Sequence, residues 1–399
     1  MLLYKYKSTV WLMFKKFNKI KRVPDKKTDI LIIDDYGYYW LKECLPPNSN
    51  HIVISFKSYP IILNIKFIFL FIKNFFQCKK NFFSLYITLI ETLDPKVVIT
   101  FQDNLNLMGM LEENFVGKLV ISIQNGLRYN SNESLGGLID YHHPIYYGFG
   151  DYERDLFATL NKKNISKKYI KAGSLRLGLF LAQNKNNLFK KNYDICLVSY
   201  FRVVKIKNYP KEIERLLEIQ KQCFTCLISI CSKNNYKMCV AMFSEKLSSG
   251  LRNDTNYEEE IDFYKNDCET KNIDFISNDF SKMGSYDTAF RSKIVIGLFS
   301  TLLIEMLGAR KKILFGGLID NMHTQTEQES FNHIPGNLLI YKIEENHIQQ
   351  KIENLIKMPN KEYLAKIAFA RDYYMRCERP YPHEMIKKRI ADHLYNSFE

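Results

Sequence analysis

The sequence predicts an α/β protein of two Rossmann-like, doubly wound parallel sheets facing each other across a cleft. Three observations carry that expectation. Short β-rich runs, apolar on both faces, alternate with helix-length segments, the pattern of parallel strands covered by helices. The runs fall into two sets, separated at residues 183–193 by a polar, Asn- and Lys-rich stretch (QNKNNLFKKNY) with the composition of a linker. At 399 residues the chain is long enough for two cores.

Residues 1–28 come first. They mix Leu2, Leu3, Val10, Trp11, Leu12 and Phe14 with Lys5, Lys7, Lys15, Lys16, Lys19, Lys21 and Arg22. A secretory signal would need a continuous apolar stretch and a small-residue cleavage site, and neither is there. The segment is expected to be either a basic amphipathic extension on an anionic membrane face or a solvated basic arm. The first set of strands is expected at residues 29–33, 51–56, 97–101, 119–123, 145–149 and 169–172. Within it, PIILNIKFIFLFIKNFF at residues 60–76 is the strongest apolar run. It is shorter than the ~20 apolar residues a span needs, and Lys66 interrupts it, so a buried or surface-lying helix is expected. The second set is expected at residues 193–198, 237–243, 273–276, 294–298, 312–315 and 338–341. These runs define a first domain at 29–186 and a second at 187–375. A helical C-terminal segment at 376–399 is placed to pack back on the first domain.

Composition narrows the function. With 46% hydrophobic and 25% charged residues, the chain is not globally disordered. A net charge of +14 favours anionic partners or surroundings. The 57 basic residues are spread along the chain without a helix-turn-helix, zinc-finger or RNP-type signature, so no nucleic-acid partner is expected. The nine cysteines form no closely spaced framework, which fits a reduced, cytoplasmic setting. Cys223 and Cys226 make a lone C-x-x-C in an apolar, helical context and are expected to be buried thiols, not a metal site. The chain lacks a Rossmann glycine fingerprint, a P-loop, a G-x-S-x-G elbow, an H-E-x-x-H pair and any D-x-D. Phosphate must then be held without a carboxylate-bound metal, and neither a metal nor a cofactor is expected.

Ligands of open α/β sheets bind at the carboxyl ends of strands. Asp103 and Asn104 follow the strand DPKVVIT, where a carboxylate is a candidate base, nucleophile or hydroxyl binder, or a helix cap. Gln124, Asn125, Gly126 and Arg128 follow KLVISI. They offer amides, a closely approachable backbone and a guanidinium suited to carboxylate or phosphate, though an Asn-Gly turn fits as well. His142 and His143 are candidate acid/base groups. Ser174 and Arg176 stand where the floor of the cleft, or its hinge, would lie. The most specific segment is KIVIGLFSTLLIEMLGARKKILF, residues 293–315. It encodes strand, Ser-Thr turn, helix, Gly stop and strand. Gly297 closes the strand, Ser300 and Thr301 open the helix with free N–H groups and its positive dipole end, and Glu305 lies one turn in. That is a candidate nucleotide-phosphate site, with Glu305 reaching a ribose or sugar hydroxyl. Upstream, Arg252 is a candidate for a further phosphate contact, and Tyr286 is a candidate base-stacking ring or a packed surface tyrosine. The run Glu258–Glu260 is expected to be a solvated helix face.

In order, VVITFQDN, ISIQNGLR, YYGFGDYERDLF, AGSLRLG, EEEIDFY and KIVIGLFSTLLIEMLGARKKILF resemble bacterial surface carbohydrate biosynthesis proteins, the glycosyltransferases of lipopolysaccharide and capsule clusters. The resemblance spans residues 94–315. The Gly-x-x-Ser-Thr-x-x-x-Glu segment is also similar to the donor site of GT-B transferases that use CMP-activated ulosonic acids, such as Kdo or nonulosonate transferases. Those enzymes carry a His-Pro pair in the second domain, whereas here the pair is His143-Pro144 in the first and Arg252 stands in the corresponding stretch. The resemblance implies a GT-B fold and a metal-independent transfer. It also implies a nucleotide sugar held mostly by the second domain. With the basic surface, the reading that follows is a cytoplasmic glycosyltransferase, peripheral on the anionic inner face of the plasma membrane, that extends a lipid-linked oligosaccharide acceptor held by the first. Two other readings share parts of this pattern: a CDP-polyol phosphotransferase of the same pathway, and a non-catalytic membrane-associated scaffold.

Overall fold

In a computed structural model of the chain, the structure describes residues 19–21, 28–33, 37–54, 60–62, 65–77, 83–103, 117–128, 145–160, 168–185, 189–201, 210–245, 256–266, 272–279, 283–298, 300–316 and 330–395. Strands β1 (Lys19–Lys21), β2 (Ile30–Ile33), β3 (His51–Ile54) and β4 (Pro60–Ile62) open the chain. Helices α1 (Ile65–Gln77) and α2 (Phe83–Leu93) follow, then β5 (Val97–Thr100), β6 (Leu119–Ile123) and β7 (Ile145–Gly148). Helix α3 (Asp151–Leu160), β8 (Tyr169–Lys171) and α4 (Leu175–Gln183) complete the first domain's main run.

β2, β3, β5, β6, β7 and β8 form one parallel sheet in the order β3-β2-β5-β6-β7-β8. Its strands are apolar on both faces because both are covered. Successive side chains alternate sides: Ile30, Ile32, Val97 and Ile99 join one core, Leu31, Ile33, Val98 and Val120 the other. Helices α1 and α2 cover the second of these faces through Phe67, Leu85, Leu89 and Ile90. The short strands β1 and β4 pair with each other, outside this sheet.

The second domain begins at β9 (Tyr193–Val198). It continues through α5 (Pro210–Asn234), β10 (Met238–Ala241), α6 (Tyr257–Lys265), β11 (Ile273–Ile276) and α7 (Gly284–Phe290). After β12 (Ser292–Gly297), α8 (Thr301–Gly308) and β13 (Lys312–Phe315) come α9 (Glu345–Lys357), α10 (Asn360–Tyr374) and α11 (Pro382–Tyr395). The sheet is parallel, in the order β11-β10-β9-β12-β13 among the described residues. Residues 338–341 are therefore not the strand their apolar character predicts. Gly336–Leu338 is a turn of 3-10 helix, and only Leu339 bridges to Phe315. Leu338, Leu339 and Ile340 are buried, so the apolar run serves the core without joining the ladder.

The last two helices tie the halves together. α10 packs on α8 of the second domain and on α3 of the first, and α11 lies on α4 and on the turn Lys42–Cys44. Between them the chain runs so close to the first domain that side chains are excluded. A Cβ on Gly150 would lie 2.1 Å from the Tyr373 carbonyl oxygen. One on Gly173, whose φ is +90, would lie 2.1 Å from that of Arg376. The Arg376 N–H donates to the Phe149 carbonyl at 2.9 Å, and the Tyr395 hydroxyl reaches the Pro47 carbonyl at 3.3 Å. Among the described residues, no helix is long and apolar enough to cross a membrane.

Candidate functional site

Each sheet reverses its strand order once, between β2 and β5 in the first and between β9 and β12 in the second. Crevices for ligands form at such points, outside the carboxyl ends of the strands. The loop that leaves β6 meets the start of the helix after β12 through Leu127 and Thr301, and the turn that leaves β8 meets the same helix through Ser174 and Glu305.

On the first domain's side, Asp103 is fully buried. Arg128 grips its carboxylate with two nitrogens: Nε donates to Oδ2 at 3.0 Å and Nη2 donates to Oδ1. The Tyr146 hydroxyl also donates to Oδ2, at 2.7 Å, and the Asn125 N–H donates to Oδ1 at 3.3 Å. The expectation that Asp103 attacks a sugar or takes a proton from an acceptor meets a physical obstacle: both oxygens are occupied and neither faces solvent. Arg128 does bind a carboxylate bidentately, but it is the protein's own. Burial, then Asp103, raise the Tyr146 phenol well above its ordinary value.

The same cluster builds the cleft floor. Arg128 Nη2 also donates to Asn125 Oδ1 at 3.1 Å, and Arg176 Nη2 donates to the Asn125 carbonyl at 2.9 Å. The Arg176 guanidinium lies 5.6 Å from the Trp40 ring and 5.9 Å from Phe101. Gln124 is buried; its Nε2 donates to the Gly126 carbonyl at 2.9 Å and its Oε1 accepts from the Phe149 N–H at 2.8 Å. Ser174 caps α4, accepting from the Leu177 N–H at 3.3 Å.

On the second domain's side, Ser300 caps α8, its Oγ accepting from the Leu302 N–H at 3.2 Å. Thr301 Oγ1 accepts from the Leu127 N–H of the first domain at 3.0 Å. Gly297 ends β12 beneath Leu303, which a Cβ would meet at 3.0 Å. Glu305 is buried and accepts from the Ser174 hydroxyl, across the domain boundary, and from the Tyr286 hydroxyl at 2.8 Å. Burial raises its carboxyl pKa against the opposing pull of Arg176. Two protein hydroxyls thus share one oxygen of the carboxylate that the sequence reading assigns to a ribose or sugar hydroxyl. Tyr286 is buried and stacks on Phe180, centroids 5.6 Å apart, in the place where a base was expected to stack.

The structure therefore gathers Asp103, Gln124, Asn125, Gly126, Arg128, Ser174, Arg176, Tyr286, Gly297, Ser300, Thr301 and Glu305 along one interdomain seam. Asn104, His142, His143 and Arg252 lie outside the described residues, as does most of the 1–28 extension.

Two buried carboxylates escaped the sequence reading. Glu153 on α3 accepts from Gln124 Nε2 at 2.7 Å and from the Gly150 N–H at 3.3 Å, and burial pushes its pKa up to about 7. Glu260, expected on a solvated face with Glu258 and Glu259, is instead buried and accepts from the N–H groups of Phe243 and Ser244, at 2.9 and 2.8 Å, where β10 ends. The available signal is the same in both: apolar residues stand three and four positions on, Leu156 and Phe157 after Glu153, Phe263 and Tyr264 after Glu260. That spacing puts each carboxylate on its helix's inward stripe. Cys223 is buried, its thiol pushed up to about 12 by that burial.

Fold and site define a two-domain protein of the GT-B type. Residues 121–337 match the family described as "putative O-antigen biosynthesis protein", and the chain belongs to that family of surface carbohydrate biosynthesis proteins. No curated protein matches the sequence. Among solved structures the chain is similar to the UDP-N-acetylglucosamine 2-epimerase from Rickettsia bellii, with a TM-score of 0.54 and 10% identity, over 93% of this chain and 97% of that one. It is similar to the UDP-GlcNAc 2-epimerase from Neisseria meningitidis bound to UDP-GlcNAc, with a TM-score of 0.52 and 12% identity, over 93% and 100%. It is also similar to the wall teichoic acid polymerase TagF, with a TM-score of 0.53 and 10% identity, over 94% and 91%. At such identities the likeness is one of fold.

Proposed function

We propose that this protein is a glycosyltransferase of surface polysaccharide assembly, of O-antigen or capsule type. It moves a sugar from a nucleotide donor to a lipid-linked glycan at the inner face of the membrane. The observation that carries the reading is the start of α8. A helix N-terminus opens at the switch point of the second sheet and faces the polar loop after β6 across the cleft, through the Leu127–Thr301 hydrogen bond. Such a terminus suits a phosphate. Membership in an O-antigen family and a fold shared with an epimerase bound to UDP-GlcNAc support a nucleotide sugar as its ligand.

The donor nucleotide lies against the second domain, with its phosphate at Ser300 and Thr301, and Arg252 is the further phosphate contact that the sequence offers. In the transfer, the acceptor oxygen bonds to the anomeric carbon, the bond from that carbon to the phosphate oxygen breaks, and the nucleotide leaves with the electron pair. Since both oxygens of Asp103 are engaged, the acceptor's proton passes to another group, and His142 or His143 supplies the imidazole. Gln124, Asn125, Gly126, Ser174 and Arg176 shape the floor on which the sugars lie. The Ser-Thr-x-x-x-Glu segment favours a CMP-linked ulosonic acid as donor and a transfer without metal.

Thermal unfolding with CMP, CDP, UDP and GDP, each with and without EDTA, tests this. A ligand at 100 times its Kd stabilises by about 2.7 kcal/mol. Stabilisation by CMP that EDTA leaves unchanged is expected; stabilisation by UDP or GDP instead replaces the donor, and none by any of them favours a scaffold. One other reading, which a fold shared with the teichoic acid polymerase TagF allows, is transfer of a polyol phosphate from a CDP donor. Product mass separates the two, because only that reaction adds phosphorus to the acceptor.

A further inference from the structure

Helix α1 leaves an apolar face uncovered. Large apolar side chains stand on both its faces, and the buried face also carries a polar residue. Asn74 is buried; its Nδ2 donates to Thr88 Oγ1 at 3.1 Å and to Glu91 Oε2 at 2.7 Å, both on α2. These bonds fix the rotation of α1, with Phe67 and Phe71 turned toward the core. Ile68, Phe69, Ile72 and Phe76 then project outward, with Phe69 71% and Phe76 67% exposed. At 3.6 residues per turn the four fall within an arc of roughly 100°. The other large apolar side chains left exposed among the described residues, Tyr341, Phe369 and Tyr395, belong to separate elements.

The charges beside this face have one sign. Lys66 and Lys73, a heptad apart, are exposed along one edge of the apolar arc. Residues 60–82 contain Lys66, Lys73, Lys79 and Lys80 and no acidic residue. The strand Lys19–Lys21, with two further lysines in its sequence, pairs with Pro60–Ile62, just ahead of the helix. A second soluble copy would satisfy the apolar arc but set lysine against lysine. A bilayer satisfies both: rings and branched chains enter the acyl boundary while lysines meet phosphate headgroups.

We infer that the exposed face of α1, Ile68, Phe69, Ile72 and Phe76 edged by Lys66 and Lys73, is a docking surface for an anionic lipid bilayer. The inference deepens the reading above by naming the element that brings the acceptor domain to its lipid-linked substrate. It places contact on α1 and not on the N-terminal extension alone. The helix lies in the interface without spanning it, as its length of 13 residues requires.

Cosedimentation of the full chain with vesicles tests it, using phosphatidylcholine alone and an equimolar mixture with phosphatidylglycerol. The wild type is expected to bind the mixed vesicles and to prefer them over the neutral ones. The double variant Phe69→Ser/Ile72→Ser should bind at least about tenfold more weakly, and Lys73→Glu should lose the preference for phosphatidylglycerol. All three side chains are exposed, and an unchanged melting temperature with unchanged nucleotide response verifies the fold. Wild-type vesicle binding by the double variant overturns the inference. So does failure of the wild type to bind either vesicle, most clearly if the double substitution then converts a dimer to a monomer. In each of these cases an intact nucleotide response leaves the proposed function standing.

Discussion

Ser174 of the first domain donates its hydroxyl to the carboxylate of Glu305 in the second, across 131 residues of sequence. Both side chains are buried, and the Tyr286 hydroxyl shares the same carboxylate oxygen. Ser174 follows the last strand of its sheet and Glu305 sits one turn into the helix after β12, so the bond closes the seam at its floor. A second bond, Leu127 to Thr301, closes it nearer the helix start.

Replacing Ser174 removes two interactions at once, the interdomain bond and the cap of α4. Ser174→Ala should lower stability by about 1–3 kcal/mol, with denaturant unfolding as the measurement. Small-angle scattering should show a larger radius of gyration at equal protein concentration. An unchanged radius would mean that the crossing helices alone hold the domains closed.

Arg128→Met should be more damaging, because it strands a carboxylate in the interior. Breaking one partner of a buried ion pair costs about 3–5 kcal/mol. Asp103→Asn keeps the shape but mismatches a guanidinium with an amide, so melting temperature, nucleotide response and turnover should fall together. Loss of turnover with wild-type melting would return Asp103 to the chemistry.

Glu153 gives stability a pH dependence of known sign. Its carboxyl, near 4.5 in an unfolded chain, is pushed up to about 7 when buried. Folding thus favours the protonated form. The contribution is fully present below about 4.5 and is lost as pH rises through about 7, a change of about 3 kcal/mol at most. Glu305 is shifted in the same direction. Glu153→Gln cannot titrate, so its melting temperature should vary less across that window than the wild type's; an equal slope would remove Glu153 as the cause.

The strands of both sheets were legible because buried parallel strands are apolar on both faces, as in ILII and KIVIG. Ser300 was legible as a cap because Ser before an apolar run is a local signal. The Asp103–Arg128 pair was not, since its members are on different loops and spacing does not encode a contact made by folding. Leu338 to Ile340 misled for a related reason: burial draws on hydrophobicity alone, and the segment meets the edge strand β13 at a single bridge. Glu260 differs from Glu258 and Glu259 only in the way it faces, which one turn of helix decides.

The path of the last helices has a consequence for biosynthesis. A ribosome delivers all of 29–186 long before it delivers α11, yet α11 covers α4 and the turn at Lys42–Cys44. Until then, the nascent first domain presents part of its apolar surface uncovered. Translation order and packing order are thus opposed for this part of the surface.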